Sequence, residues 1–180
     1  IWSALEAWAP QLFLFAGDTL YPDEDDVTSD LPELRAAYDL LERNAPFAAF
    51  RERVPVWPVW DDHDYGRNDA GGDFPFREQS QRLFLERWGI GEGDPRRERS
   101  GLYHSAIYGE QDRTVQVLVL DTRFFRSPLA KTDEYGARGK ERYQPDPDLG
   151  KTLLGEAQWR WLEQELSREA DLRILVSSIQ

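Results

Sequence analysis

An α/β domain with a mainly parallel sheet is the fold class that this 180-residue sequence predicts. Apolar strand-like runs alternate along the chain with stretches of helical periodicity, the pattern of strands joined by crossover helices. Late in the chain, "GLYHSAIYG" and "RTVQVLVLD" are separated only by a polar "EQD" connection, which adds one antiparallel pair. Hydrophobic residues at 40% and aromatics at 13% supply enough apolar surface for a single core and argue against a disordered chain.

The opening "IWSALEAWAP" sets Ile1, Leu5 and Trp8 on one helical face and stops at Pro10, so it reads as a short helix. "QLFLFAGD" is a compact apolar run closed by Gly-Asp and predicts a strand buried on both faces. From Leu31 to about Arg43, Leu34, Tyr38 and Leu41 recur at helical spacing, with Pro32 in the first turn and Ser29 or Asp30 as cap. Pro46 interrupts that pattern, and "FAAFRERV" predicts a second, shorter helix. "VPVWPVW" is a strand with a defect, because Pro58 has no N–H for a central ladder. Leu83, Phe84 and Trp88 mark a helix over Arg77 to Trp88, and "GIGEGDPRRERSG" is a loop whose Arg96-to-Arg99 run reads as solvated. The stretch Thr122 to Thr152 is irregular, and loops of that length are usually functional or disordered. Glu156 to Arg168 predicts a helix and "DLRILVSS" the last strand.

Charge and composition narrow the function. A formal net charge of −12 argues against wrapping nucleic acid, which needs an excess of Lys and Arg, but permits phosphate chemistry if cations stand between carboxylates and substrate. The chain has no cysteine, so disulfides and thiolate metal sites are excluded. No apolar run approaches the ~20 residues of a membrane span, and the start carries no secretory leader pattern. The sequence opens at Ile1, contains no Met and ends inside a strand-like run, and the expectation is an internal fragment of a longer protein. Neither a Gly-rich phosphate loop nor a Gly-x-Ser-x-Gly elbow is present, which disfavours P-loop and serine-hydrolase chemistry.

Three strand-like runs end in aspartate: Asp18, Asp61 with Asp62, and Asp121. In parallel sheets ligands collect at those carboxyl ends. In "GDTLY", the three-residue step from Asp18 to Tyr21 brings a carboxylate and a phenol to one side of a turn, where both offer oxygen to a hard cation. The alternative is an ordinary Gly-Asp turn with Tyr21 packed on the core. In "WDDHDYG", neighbours on an extended end point to opposite sides, so one of Asp61 and Asp62 binds while the other orients. His63 beside carboxylates suits a proton donor or a phosphate contact, and Asp64 is placed to hold its ring. A solvated turn with capping aspartates remains the competing reading. Asp121 is a distant charge partner and Arg123 a fork for phosphate or carboxylate, with a structural ion pair the open alternative. Asn68 either caps or reaches a metal, and His104 reads as a satisfied structural histidine. Two cations about 4 Å apart, bridged by one carboxylate, would activate a water or hydroxide and neutralise a phosphate ester.

The pieces "FAGDTLYPD", "WDDHDYGRNDAG", "GLYHSAIYG", "LDTRFFRSPL", "LLGEAQWRWLE" and "ILVSSIQ", in this order across most of the chain, resemble the alkaline phosphatase D (PhoD-like) family of metallophosphoesterases. The resemblance implies a four-layer αββα sandwich, of which residues 1–180 are part of one catalytic domain without its N- and C-terminal portions. It implies a phosphatase of phosphomonoesters and some phosphodiesters, with Fe3+ and Ca2+ as metals and export from the cytoplasm. By position, Asp18 resembles the metal-bridging carboxylate, Tyr21 the phenolate ligand on the iron side and Asp62 a second-metal or substrate contact. His63 resembles the histidine that contacts phosphate or protonates the leaving group, with Asp64 behind it, and Arg123 and Asn68 are the candidates for substrate contact. The family's upstream ligand segment and its downstream Asp and His strand have no counterpart in the sequence, which implies about half a site and an inactive fragment. A diester or phospholipid hydrolase of the same fold and a non-catalytic calcium-binding domain stay open as alternatives. Nothing in the sequence names the physiological ester or an oligomeric state.

Overall fold

A computed structural model describes residues 1–22, 27–110 and 112–179. Gln111 of the polar connection, and Asp23 and Gln180 of the quoted motifs, lie outside the described residues. In chain order the elements are α1 (Trp2–Glu6), β1 (Phe13–Ala16), α2 (Pro32–Glu42), α3 (Ala45–Arg53), β2 (Val56–Val59), α4 (Asp62–Tyr65), α5 (Arg77–Arg87), a 3-10 turn (Pro95–Arg97), β3 (His104–Tyr108), β4 (Val115–Val119), α6 (Gly155–Leu166) and β5 (Leu172–Val176).

The class is mixed α/β, but the strands form two small sheets rather than one. β1 pairs with β2 in parallel, Phe13 opposite Val56 through Ala16 opposite Val59. Pro58 is tolerated because β2 has only β1 as a partner among the described residues. The second sheet runs β3-β4-β5, with β3 antiparallel to β4 in the register His104 to Val119, and β5 parallel to β4.

Side-chain alternation sends each strand face to a different neighbour. Phe13 and Phe15 of β1 turn to the helices, where the Trp2 ring lies 6.2 and 5.9 Å from theirs and 4.9 and 5.3 Å from Phe47 and Phe50 of α3. Trp57 turns the other way, its ring 4.6 Å from His104 and 5.7 Å from Tyr108. On β4, Val117 and Val119 join the main core with Trp60, Tyr65 and Phe84. Leu118 faces the opposite side and packs with Leu120, Leu154 and Leu162 beneath α6. Gln116 is buried between, its amide donating to the Glu165 carbonyl (2.8 Å) while its oxygen accepts from Arg173 Nε (2.8 Å).

Four local expectations give way to tertiary packing. β1 is half-buried rather than doubly buried. Helix α1 seats Trp2, leaving Ile1 and Trp8 almost fully exposed, because five residues are too few to impose a stripe. The residue before α2 is Leu31, held at φ 52° with its side chain in the core, while Ser29 and Asp30 hydrogen-bond each other instead of capping. The Arg96-to-Arg99 run is only partly solvated, with Glu98 exposed and the three arginines engaged. Arg96 is buried with its fork on Asp94 (2.7 Å), Arg97 donates to the Ile90 carbonyl and Arg99 lies 3.8 Å over the Tyr103 ring.

His104 packs as a structural residue, Nδ1 3.0 Å from the Leu102 carbonyl and 3.3 Å from Arg96 Nη1, with Asp94 and Arg99 also near. Burial, reinforced by the Arg96 charge, lowers its pKa to about 4. The folded form therefore holds His104 neutral, so its contribution is complete above the unfolded value of ~6.5 and is lost as pH falls from there toward 4. The expected outcome is that urea-unfolding free energies fall over that window, and that His104→Gln flattens the slope by about 1.4 kcal/mol per pH unit, one proton's worth. Identical slopes in the two proteins would contradict it.

Candidate metal centre

Because β1 and β2 are parallel, their carboxyl ends emerge on one rim. Gly17 leaves β1 at φ 109°, and a Cβ there would sit 2.5 Å from Asp61 Cβ and 2.8 Å from Asp61 N. Only glycine lets the two loops touch in this way. Asp64, on the first turn of α4, then ties them together. Its Oδ1 accepts from the amides of Thr19 (2.8 Å) and Leu20 (3.3 Å), and its Oδ2 from the amide of Asp61 (3.1 Å). Burial pushes this carboxyl up to about 7, against the pull of those amides. Sequence placed Asp64 behind the His63 ring. The structure gives its oxygens a loop-locking role that was not anticipated.

On the joined rim, Asp18, Asp62 and His63 each present a ligand atom, all within 4.8 Å of one another. Asp62 is buried, its Oδ1 accepting from the His63 amide (3.1 Å) and its Oδ2 from the Asp69 amide (2.7 Å), with Arg123 Nη2 at 3.8 Å. Burial raises its pKa, but the Asp69 amide, Arg123 and His63 outweigh that and leave it below the usual carboxylate value. Asp18, at φ 53°, differs. Burial raises its pKa, the Tyr21 hydroxyl opposes this, and Asp62 and Asp61 add to the rise. Tyr21 is largely exposed, donates to Asp18 Oδ2 (3.0 Å) and lays its ring 4.4 Å from that of His63. That hydrogen bond, with burial second, raises the phenol pKa, so here Tyr21 keeps its proton. The other oxygen of Asp18, Oδ1, is buried without a hydrogen-bond partner. A carboxylate with an unmatched buried oxygen, beside a second carboxylate and an imidazole, fits a hard or borderline cation better than a soft one.

Asp61 points away from this centre, its Oδ1 accepting from Arg123 Nε (2.6 Å) and Ser178 Oγ (2.6 Å). The Arg123 guanidinium is buried and paired with that carboxylate, the geometry of the structural ion pair that the sequence left open beside a substrate fork. Asp121 is also structural. It is fully buried and accepts from Trp60 Nε1 (2.9 Å) and from the amides of Leu102 (2.8 Å), Arg123 (2.9 Å) and Phe124 (2.9 Å). Asn68 donates to Asp69 Oδ2 (2.9 Å), the residue whose amide holds Asp62. Two contributors escaped the sequence reading. Ser178 follows β5 at the same topological position as the aspartates, and Asp69, at φ 56°, supplies the amide that holds Asp62. The turn composition of "RNDAG" and the hydroxyls of "VSS" were the available signals.

The PhoD-like phosphatase family matches residues 1–179. The chain belongs to that family. The solved structure of PhoD is similar to this PhoD-like chain at a TM-score of 0.64 and 21% identity, covering 97% of it. The chain spans 38% of the length of that solved chain, and at this identity the likeness establishes the fold. No curated protein matches.

Removing one partner of a buried ion pair costs about 3–5 kcal/mol. Arg123→Ala is expected to lower unfolding free energy on that scale, and Arg123→Lys to recover only part of it, since an ammonium lacks the fork. Urea denaturation checks this. An unchanged midpoint with a raised KM would return Arg123 to substrate binding.

Proposed function

We propose that this PhoD-like chain carries the carboxylate-rich half of a metal-dependent phosphatase site acting on phosphate monoesters, with two cations as the metal complement. The observation that carries the reading is that Asp18, whose Oδ1 is buried and unmatched, offers a carboxylate oxygen within 4.8 Å of ligand atoms of Asp62 and His63. Asp18 and Asp62 are the residues assigned to hold metal, with Tyr21 joining once its proton is displaced from Asp18. A bound cation supplies charge neutralisation to phosphate oxygens and acidity to a water. Fe3+ and Ca2+ are the metals the family resemblance favours.

In this reading His63 gives the departing alkoxide its proton, and Asp64 keeps both loops in place for it to do so. Exported localisation and a four-layer αββα sandwich are part of the same proposal. Support for the sandwich comes from α1 and α3 on one side of β1, Trp57 against β3, and α6 behind β4. Residues 1–180 then form part of one catalytic domain, and further donors come from elsewhere in it.

Turnover by the metal-loaded full-length catalytic domain, with its remaining donors, is expected to vanish on chelation and return with metal. Asp18→Asn should cut kcat at least about a hundredfold, the scale of disturbing a metal's surroundings, with no loss of unfolding free energy because the neutral amide relieves repulsion from Asp62 and Asp61 while its oxygen can still accept from Tyr21. Calcium that stabilises the fold while no ester is ever hydrolysed would sink the proposal in favour of a calcium-binding domain. For His63→Gln, an alkyl phosphate should lose about 10²–10⁴ in kcat, while 4-nitrophenyl phosphate, whose leaving group needs no proton, loses far less. Equal losses accompanied by lost metal would make His63 a ligand instead.

A further inference from the structure

A cleft of about 520 Å³ opens beside the metal centre, and its walls carry charge of the opposite sign to the rest of the protein. Asp69 belongs to both places. Its amide holds Asp62 Oδ2 at 2.7 Å, while its carboxylate lies on the cleft wall. The far wall is an arm of the Thr122-to-Thr152 stretch, folded back on itself by an isolated bridge between Lys131 and Tyr143 and by bonds from Thr132 N to the Arg142 carbonyl (3.1 Å) and from Gln144 N to the Ala130 carbonyl (2.9 Å). Tyr143 anchors the arm by donating to Asp69 Oδ2 (2.9 Å), and Arg142 pairs with the same oxygen (2.9 Å). At the base of the arm, Arg126 donates to the carbonyl oxygens of Asp69 and Ala70. The cleft is therefore a built feature of the fold.

In a chain of net charge −12, three cations and two carboxylates lining one cleft make an electropositive exception. Arg142 is matched by Asp69. Lys131 and Arg67 have no acidic partner among the described residues. Lys131 Nζ sits 4.5 Å over the Tyr135 ring and Arg67 Cζ lies 5.7 Å from the Phe74 ring, so each is steered by an aromatic face that leaves its charge unneutralised. A cation held in place beside a concave surface, without a counter-charge, is suited to an anion brought by a ligand.

We propose that this cleft receives a second anionic group, borne on the organic part of the phosphate ester whose phosphoryl group sits at the metal centre. Lys131 and Arg67 recognise the charge, and the paired Tyr135 and Tyr143 rings, 5.6 Å apart, form the apolar side of the cleft. The inference rests on the proposed phosphatase reading for the phosphoryl end alone. It assigns selectivity for anionic over neutral organic groups to residues that lie outside the metal donors.

Binding of two unreactive probes to the metal-loaded protein tests it: 4-(phosphonomethyl)benzoate and benzylphosphonate, which differ by one carboxylate. The expected result is at least a tenfold lower Kd for the carboxylated probe at low salt. The ratio should collapse toward one in the Lys131→Ala, Arg67→Ala double variant and persist in Lys131→Arg. Equal affinities in the unaltered protein, no binding of either probe, or a ratio untouched by the double variant each overturn the proposal. Hydrolysis of 4-nitrophenyl phosphate is followed in parallel. If none occurs while the Kd ratio behaves as expected, the hydrolytic reading fails and the anion cleft stands.

Discussion

Two strand ends of a parallel pair meet at one rim only if something holds their loops together, and here a single buried carboxylate does so. Asp64 collects amides from both sides, Thr19 and Leu20 from the loop after β1 and Asp61 from the loop after β2. Gly17 makes the approach sterically possible, since any Cβ would overlap Asp61. Hydrogen bonds from neutral amides to a carboxylate are stronger than neutral pairs, and three of them offset much of the cost of taking Asp64 out of water. That burial still raises its pKa to about 7 shows that the offset is incomplete. The cost is borne where position matters, because Asp18 and Asp62 project from the two loops that Asp64 joins.

Four carboxylates in so small a volume need separate means of neutralisation. Asp61 has Arg123 and Ser178, Asp64 has its amides, and Asp62 has the Asp69 amide with Arg123 behind it. Asp18 has the Tyr21 hydroxyl on one oxygen and nothing on the other. Among these four, the unmet demand is therefore concentrated on Asp18, which shares its rim with Asp62 and His63. A fully solvated acidic turn would leave no carboxylate oxygen buried and unmatched.

The strand ends, the Gly-Asp turn and the Asp-Asp-His-Asp motif were legible because their information is local: an apolar run, a glycine, and a change of direction. Which strand-end aspartate is left with an unmatched oxygen was not. Asp18 and Asp121 look alike in sequence, yet one keeps an unmatched oxygen and the other accepts four hydrogen bonds, a distinction made by Trp60 and Leu102 arriving from elsewhere in the chain. Arg123 and the Arg96-to-Arg99 run show the same limit. Arg123 reads as a ligand fork or an ion pair alike, and the Arg96-to-Arg99 run as solvated, until their partners, Asp61 and Asp94 with Tyr103, are placed. Leu31 at φ 52° is a case where core burial of a side chain outweighs the better caps beside it.

The two sheets are not independent supports of this rim. Asp121 leaves β4 and binds the indole of Trp60, the residue before Asp61, while Ser178, beyond β5, binds Asp61 itself and shares a contact of 2.6 Å with Thr122. The second sheet thus fixes the end of β2 from behind through a buried carboxylate and a hydroxyl pair. Buried polar networks of this kind gain little net stability, because desolvation offsets most of their attraction, but an alternative packing that leaves any member unpaired is penalised heavily. An apolar contact between the sheets would tolerate small slides of one against the other. Directional bonds to Asp61 do not, and a donor cluster spanning 4.8 Å needs that constraint more than it needs extra stability.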